Sequence, residues 1–156
     1  MEDNVLVYIP ALRAYSRSLC KSVPDAEDLV QETLLRAIEY ADRYQPGTNM
    51  RAWLFTIMRN RFFTNCHKSA RERTGSEDCV SAQPRVKAGQ DSHMELMDMK
   101  VALRRLPSHY REAVVLVALG ESYMNAARIL DCDIGTIKSR VSRARTLLRN
   151  ALEPVA

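Results

Sequence analysis

The string GTIKSRVSRAR, from Gly135 to Arg145, follows a short amphipathic segment, SYMNAARIL, and a three-residue turn from Asp131 to Asp133. If Asp133 caps a helix that begins at the next residue, a rotation of about 100° per residue places one apolar stripe along that helix. The stripe consists of Ile134, Ile137, Val141, Ala144 and Leu148. Two short helices joined by a tight turn are typical of a helix-turn-helix.

The opposite side of the second helix is polar and basic. Arg140 falls on one flank of this side and Arg145 with Arg149 on the other, where a helix in a major groove meets the two phosphate backbones. We expect the base-reading residues to be Lys138, Ser139, Ser142 and Arg143, and we expect Thr136 near the start of the helix to contact DNA as well.

The charge of this helix supports that interpretation. Five cations and no acid lie between Ile134 and Leu152, whereas an ordinary solvated helix alternates acids with lysines. A basic, solvated C-terminal helix remains the alternative.

Length and composition indicate a helical globular protein. The chain has 156 residues, of which 46% are hydrophobic, 27% charged and only 5 glycine, so it can form one ordinary domain or two small helical ones. The net charge is −3 over residues 1–50, +4 over 51–93 and +3 over 94–156. This distribution predicts one surface for a protein partner and others for nucleic acid, although uneven surface charge is common.

The four cysteines show neither CxxC nor CxxxC spacing. We therefore expect no zinc site, no disulfide framework and no cofactor. Neither a signal peptide nor a long apolar run is present, so the sequence predicts a reduced, cytoplasmic protein without membrane contact.

Helical spacing predicts three helices in the first half: one from near Asn4 to Cys20, one opened by Pro24, and one from Met50 to about Lys68 capped by Asn49. The inward stripe of the second helix is expected to consist of Ala26, Val30, Thr33, Ala37 and Ala41.

A linker follows over residues 69–92, where hydrophobic residues thin out and Gly, Pro and Ser appear without a period. In the second half, a helix is expected to end at Pro107, with Ser108 capping the next helix. The apolar stripe of that next helix is expected at Tyr110, Val114 and Val117. Ser122 is expected to cap the first helix of the helix-turn-helix.

The segment from Tyr44 to Arg73 has six cations and one acid, with aromatic residues interleaved. Exposed bases stack on aromatic rings while cations hold phosphates, so this composition suits single-stranded or melted DNA. At helical spacing an aromatic stripe is more often core, so Trp53 and Phe62 are expected to be buried, with a DNA contact as the alternative. We expect Arg59 and Arg61 on the polar side, and Tyr44 at the start of the loop, to contact DNA. The loop Tyr44–Met50 could hold a flipped base with Thr48, Asn49 and its backbone groups. An ordinary connection between two helices is the alternative.

The stretch PDAEDLVQETLLRA, residues 24–37, places Asp28, Gln31 and Glu32 beside its apolar stripe. Such an acidic face could dock a basic or polar coiled coil. An ordinary solvated face is the alternative.

Four motifs in this order resemble a known family. DAEDLVQET (25–33), RAWLFTIMRN (51–60), LPSHYREAVVLV (106–117) and GTIKSRVSRAR (135–145) are similar to the extracytoplasmic-function class of bacterial RNA polymerase sigma factors. RSLC, QPGTNMRAWLFTIMRN and CDIGTIKSRVSRAR most resemble the alphaproteobacterial general-stress-response subgroup.

The resemblance implies an all-α fold with two small helical domains joined by a flexible linker, the second domain holding the helix-turn-helix. Residues 1–68 would form region 2, residues 69–92 the linker and residues 93–156 region 4. Region 2 would bind core RNA polymerase and melt the minus-ten promoter element, and region 4 would read the minus-thirty-five element. An anti-sigma protein is the further partner implied.

The same resemblance assigns residues to these roles by position. The polymerase-binding helix holds Asp28, Gln31 and Glu32. The loop Tyr44–Met50, together with Asn60, lies where the unpaired minus-ten base is held. The minus-thirty-five readers are Lys138, Ser139, Ser142 and Arg143.

One segment departs from the class. Relatives commonly have a hydrophobic residue before Ser122 and a pair of glutamates after Tyr123, whereas this chain has Glu121 and then Met124 and Asn125.

The sequence thus favours a promoter-specificity subunit that is not itself an enzyme. A stand-alone helix-turn-helix regulator would need a sensing or dimerising domain. A sigma-like mimic that binds only an anti-sigma protein would not need Lys138 and Arg143. An enzyme is not expected, because no nucleophile and base pair, metal cluster or glycine-rich phosphate loop stands out in the sequence.

Overall fold

A computed structural model of the chain describes residues 5–72, the first unit, and residues 94–153, the second unit. Every regular element in these two units is helical, as predicted. The first unit holds α1 (Ile9–Leu19), α2 (Val23–Glu39) and α3 (Met50–Glu72), with short 3-10 turns at Val5–Tyr8 and Ala41–Arg43. The second unit holds α4 (Met94–Arg105), α5 (Ser108–Ala118), α6 (Tyr123–Leu130) and α7 (Ile134–Leu152). None of these helices is both long and apolar enough to cross a membrane.

Helix α2 begins one residue before Pro24 because Ser22 acts as its cap. The Ser22 hydroxyl accepts a hydrogen bond from the backbone N–H of Asp25 at 3.2 Å, which satisfies one of the free donors of the first turn. The predicted inward stripe is buried along α2. It is wrong at Ala41, which lies beyond the helix in a 3-10 turn and is half-buried.

Asn49 caps α3 as predicted. Its side-chain oxygen accepts a hydrogen bond from the backbone N–H of Ala52 at 3.1 Å. The helix continues past Lys68 to Glu72, because no glycine or proline interrupts it there. The predicted linker of residues 69–92 therefore begins too early, and the rest of it lies outside the described residues.

The core of the first unit lies between α1, α2 and α3. Leu12, Tyr15, Leu54, Phe55 and Met58 are fully buried in it. The rings of Tyr15 and Phe55 meet edge to face at 5.1 Å, an arrangement that adds to the stabilisation from burial alone.

Helix α5 begins differently from the expectation. Pro107, not Ser108, is its N-cap residue, because the Pro107 carbonyl accepts hydrogen bonds from the N–H groups of Tyr110 and Arg111, both at 3.0 Å. Ser108 is the first helical residue, and a proline N-cap offers no side-chain acceptor.

The buried stripe of α5 was also predicted wrongly. Its buried residues are Glu112, Ala113 and Leu116, while Tyr110, Val114 and Val117 are half-buried. The helix packs against α1, α6 and α7. Because these three helices cover it from different sides, its buried residues do not form the single apolar stripe that the spacing predicted.

The helix-turn-helix has the predicted order. The Ser122 hydroxyl accepts from the N–H of Asn125 at 3.0 Å and caps α6. Asp131 turns the chain in the left-handed conformation at φ 52°, and Asp133 is the N-cap residue of α7, although its side chain makes no capping bond. Ile134, expected on the buried stripe, is 43% exposed at the very start of the helix.

The two units pack against each other. Helices α1 and α3 of the first unit contact α5 and α6 of the second, and one continuous apolar cluster includes Leu12, Phe55, Leu116 and Ala126. A flexible linker permits both a compact and an open form, so the sequence does not decide whether the two halves touch; the structure places them in contact.

Candidate nucleic-acid interface

The outward strip of α7 has the exposure that DNA readout requires. Lys138, Ser139, Ser142 and Arg143 are all exposed. The opposite side is buried through Ile137, Val141 and Ala144, so packing fixes the rotation of the helix about its own axis. The four predicted base-reading residues therefore face away from the protein.

The cations of α7 are free of carboxylate partners in the part of the chain that the structure describes. The ion pairs of the two units are all made by arginines of α1, α2 and α3. Because their charge is not neutralised, these side chains can bind phosphate. They are Lys138, Arg140, Arg143, Arg145 and Arg149.

Arg143 is held by a residue that sequence reasoning did not assign to the site. Its Nη1 donates a hydrogen bond to the Tyr110 hydroxyl at 3.3 Å, and the rings of Tyr110 and His109 lie 4.2 Å apart. Helix α7 and the start of α5 form a shallow cleft here, which Thr136 and Arg140 also line. No local spacing in the sequence links positions 110 and 143, so only the fold brings Tyr110 to the reading helix.

A second cleft lies between the end of α2 and α3. It has a volume of about 480 Å³ and is lined by aromatic, basic and amide side chains, which is the chemistry that holds an unstacked base. The predicted Asn60 and Arg61 line it. So do Trp53, for which burial was expected and a DNA contact was the alternative, and residues that were not predicted there, Arg36, Tyr40, Arg43, Thr56, Ile57 and Thr64.

Tyr44, expected to contact the flipped base, is buried in the core. Its ring packs on Trp53 at 5.1 Å, and its hydroxyl donates to the Thr48 carbonyl at 2.7 Å. Tyr44 therefore holds the loop rather than facing a ligand, which corrects its assignment as a direct DNA contact. Thr48 is exposed on the loop surface, and its own hydroxyl donates to the Gln45 carbonyl at 2.6 Å.

The three consecutive polar residues of α3 that were assigned to DNA point in different directions. Asn60 is exposed at the cleft. Arg61 lines the cleft and also donates to Glu32 at 2.7 Å. Arg59 turns toward the second unit, where its Nε donates to Glu112 at 3.1 Å with the guanidinium over the Phe63 ring.

The three polar residues predicted on the acidic face of α2 also point in different directions. Asp28 and Gln31 are exposed and continue into two exposed apolar residues, Leu35 at 63% and Ile38 at 71%. Glu32 instead turns toward α3, where it accepts hydrogen bonds from Arg61 and from Asn65 at 3.0 Å.

The environment of Glu32 favours its charged form. Burial raises the pKa of Glu32, but the hydrogen bonds from Asn65 and Arg61 and the positive charges of Arg61 and Arg36 outweigh burial, so the pKa lies below its ordinary value. Glu32 is thus an ionised acceptor that fixes Arg61 at the edge of the cleft.

The two units match two family models. Residues 5–72 match sigma-70 region 2, and residues 96–148 match sigma-70 region 4. Over 149 residues the chain is 46% identical to the ECF RNA polymerase sigma factor EcfG of Rhodopseudomonas palustris (strain TIE-1), which covers 95% of this chain and 82% of that protein. The chain belongs to the extracytoplasmic-function (ECF) sigma factors. The resemblance carried by the four sequence motifs is therefore confirmed.

Two solved structures are similar to this ECF sigma factor over nearly its whole length. The sigma factor RpoE of Bartonella quintana, in complex with the anti-sigma factor NepR, is 44% identical with a TM-score of 0.78, over 95% of this chain and 93% of that one. CnrH, in complex with the cytosolic domain of CnrY, is 27% identical with a TM-score of 0.68, over 95% and 84% of the two chains.

Proposed function

We propose that this sigma factor binds core RNA polymerase and directs transcription initiation from specific promoters. The observation that carries the proposal is the exposed strip of α7, whose cations have no carboxylate partner among the described residues, on a chain that also has a basic aromatic cleft on α3. One surface suits duplex readout and the other an unpaired base, which is the combination that promoter recognition and melting require.

Helix α7 would read the minus-thirty-five element in the major groove. Lys138, Ser139, Ser142 and Arg143 face outward for base contacts. Thr136, Arg140 and Arg145 lie at the start and flanks of that strip, where the phosphates would run. Phosphate contacts fix the register of the helix, and base contacts supply the sequence preference.

The cleft between α2 and α3 would hold the unpaired minus-ten base. Trp53 offers a ring for stacking, and Asn60 offers an amide for the base edge. Arg61 is held at the edge of the cleft by its hydrogen bond to Glu32. Thr48 lies exposed on the loop before α3. Asn49 and Arg59 are engaged with the second unit in this structure, and we expect them to contact DNA only when the units separate.

The exposed face of α2 would bind the polymerase. Asp28, Gln31, Leu35 and Ile38 follow one another at helical spacing and face solvent. Apolar residues beside an acidic and an amide side chain suit a helical partner with apolar and basic residues. Glu32 would support this surface from its edge.

We also assign this chain to a stress response under an anti-sigma protein. The similarity to EcfG and to a sigma factor solved with NepR supports that assignment. The proposed role is a binding role in the cytoplasm, with no reaction of its own and no cofactor. We propose that the chain divides into a region 2 that extends to the end of α3 at Glu72, a linker after it, and a region 4 over residues 93–156.

Association with core RNA polymerase tests the proposal. The purified chain is mixed with core enzyme, run on a size-exclusion column, and the complex is then added to labelled promoter fragments in a gel-shift assay. We expect co-elution with core enzyme and a shift of a subset of fragments. Failure to bind core enzyme, with binding to an anti-sigma protein retained, would identify the chain as a mimic.

A further inference from the structure

Two glutamates of the second unit reach into the first. Glu112 of α5 is 5% exposed. One of its carboxylate oxygens accepts hydrogen bonds from the Tyr15 hydroxyl and from Arg59 Nε, both at 3.1 Å. Burial and the nearby Glu112 charge raise the pKa of Tyr15 well above its ordinary value, so the phenol remains a donor. Glu112 thereby joins α5 to both α1 and α3.

Glu121 makes a second contact between the two units. It is 3% exposed and accepts from Arg51 Nε at 2.6 Å and from Asn49 Nδ2 at 3.2 Å, both in the first unit. Asn125 of its own unit donates to the same carboxylate at 3.2 Å. The buried charge is therefore hydrogen-bonded from both units, as a buried carboxylate requires.

The backbone before Glu121 is shaped for this contact. Helix α5 ends in a Schellman motif, in which the N–H of Gly120 donates to Val117 and that of Glu121 to Leu116. Gly120 has φ +104°, and a Cβ there would lie 3.0 Å from Arg51 Nη1. A side chain at this position would strain the turn and press on the arginine.

The packed arrangement conflicts with promoter binding. Elements centred about 25 base pairs apart are separated by about 85 Å of B-form DNA. A packed chain of this length has a radius of gyration of about 15 Å, or about 40 Å across. Helix α7 and the cleft on α3 therefore cannot reach both elements while the units stay together.

We propose that Glu112 and Glu121 form a latch that holds the free sigma factor in a closed state unable to engage both promoter elements. This inference rests on the proposed function for its consequence, but the latch itself is a property of the isolated chain. The two carboxylates take up donors of Arg59 and Asn49, which we expect to contact DNA, in the way that phosphates would. Opening frees these donors for DNA and lets the two units move apart.

Small-angle X-ray scattering of the free chain tests the latch. In the double variant E112Q/E121Q each side chain keeps its size and loses its charge, and we expect the radius of gyration to rise from about 15 Å to above about 20 Å. The matched control is Glu27→Gln, which removes the Arg13–Glu27 ion pair within the first unit and leaves the radius unchanged. An unchanged radius in a folded double variant would overturn the latch.

A variant in the first unit, opposite Glu121, serves as a control in case the double variant does not fold. Arg51→Gln also breaks the Glu121 pair, and we expect expansion with the helical circular dichroism retained. When Arg51→Gln is combined with Glu121→Gln, the increase in radius of gyration should be smaller than the sum of the two single increases, since both changes remove the same Arg51–Glu121 interaction. Strict additivity would count against a direct latch.

Core binding separates the latch from the proposed function. If only an open fraction of the free chain binds core enzyme, the apparent Kd falls as that fraction rises, and we expect E112Q/E121Q to bind about threefold more tightly or better. If the double variant expands but no variant binds core enzyme, the latch is supported and the proposed function is rejected. If the chain binds core enzyme but the double variant does not expand, the proposed function is supported and the latch is rejected.

Discussion

Arg143 lies at the centre of the reading strip, held at 3.3 Å by Tyr110. We predict that Arg143→Ala costs about 1 to 3 kcal/mol of holoenzyme binding to its promoter and relaxes preference at one base position. Tyr110→Phe should lose less, because the arginine remains but is less well fixed. Gel shifts on promoters altered one position at a time measure both effects.

Arg149 provides the control for that prediction, because it is an exposed cation near the end of the same helix. Arg149→Ala should weaken binding by a similar factor on every sequence, as a phosphate contact does. Equal preference of the wild-type holoenzyme for native and altered minus-thirty-five sequences would contradict the role of Arg143.

Cys20 is half-buried beside two acids. Burial, with further effects from Asp25 and Glu32, raises the pKa of Cys20 to about 12. We therefore predict slow alkylation of Cys20 by iodoacetamide at pH 8 in the folded chain, since little thiolate is present. Mass spectrometry of the chain unfolded in urea gives the reference, where the pKa returns toward about 8.5. Equal rates in both states would contradict the prediction.

At the scale of helices, the sequence was sufficient where structure is local. Except at the end residues Ala41 and Ile134, the stripes of α2 and α7 follow from spacing within a few residues, as the caps Asn49 and Ser122 follow from side-chain chemistry. The cap of α5 was misplaced by one residue, to Ser108 instead of Pro107. The stripe of α5 was predicted wrongly because it depends on which other helices cover it. The positions of Glu112 and Glu121 were equally out of reach, since Glu112 meets Tyr15 across 97 positions and Glu121 meets Arg51 across 70.

The candidate site shows the same division. The outward position of Lys138, Ser139, Ser142 and Arg143 on α7 was predicted residue by residue, because a helix with one buried face has only one outward face. Tyr44 was misplaced because its aromatic ring fits a core as well as a DNA contact, and composition cannot distinguish the two. Trp53 was considered for both roles and lies half-buried in the wall of the cleft.

The exposed face of α2 gives a prediction for polymerase binding. Leu35→Glu should weaken core binding by at least about 1 kcal/mol, roughly fivefold in Kd, because it places a charge in an apolar contact. Asp28→Arg should weaken it as well, and neither change should alter the fold, since both side chains are exposed. Competition with a labelled sigma factor for core enzyme measures the affinities.

The control for α2 is Val23→Glu, the same kind of change at a residue that is 54% exposed at the start of the helix. Glu is favourable in a first helical turn, so this variant should bind core enzyme like the wild type. Unchanged binding by Leu35→Glu and Asp28→Arg would remove α2 from the polymerase interface.

The contact between α2 and α3 should make the fold sensitive to acid. The pKa of Glu32 is lower when folded than its ordinary value of about 4.3, so its contribution to stability is complete above that value and is lost as the pH falls through the folded pKa. Glu32→Gln should therefore reduce the loss of stability below about pH 4. Urea unfolding at pH 7 and pH 3 measures it, and an identical loss in both proteins would contradict the prediction.

At the scale of the whole molecule, the two described units meet through an apolar cluster and two buried carboxylates. This packing leaves the strip of α7 and the cleft on α3 exposed. In the proposed function, promoter recognition requires the units to separate while each helical core stays intact. The energy for that separation would come from binding to core polymerase.

The most direct test of the central claim is run-off transcription with purified core RNA polymerase on a library of promoter fragments, with and without this chain. We predict a discrete set of new transcripts whose templates share two spaced motifs, and the loss of that set when Lys138 and Arg143 are both changed to alanine. Core binding with no new transcript, or transcripts that share no motif, would contradict the assignment of this chain as a promoter-specific sigma factor.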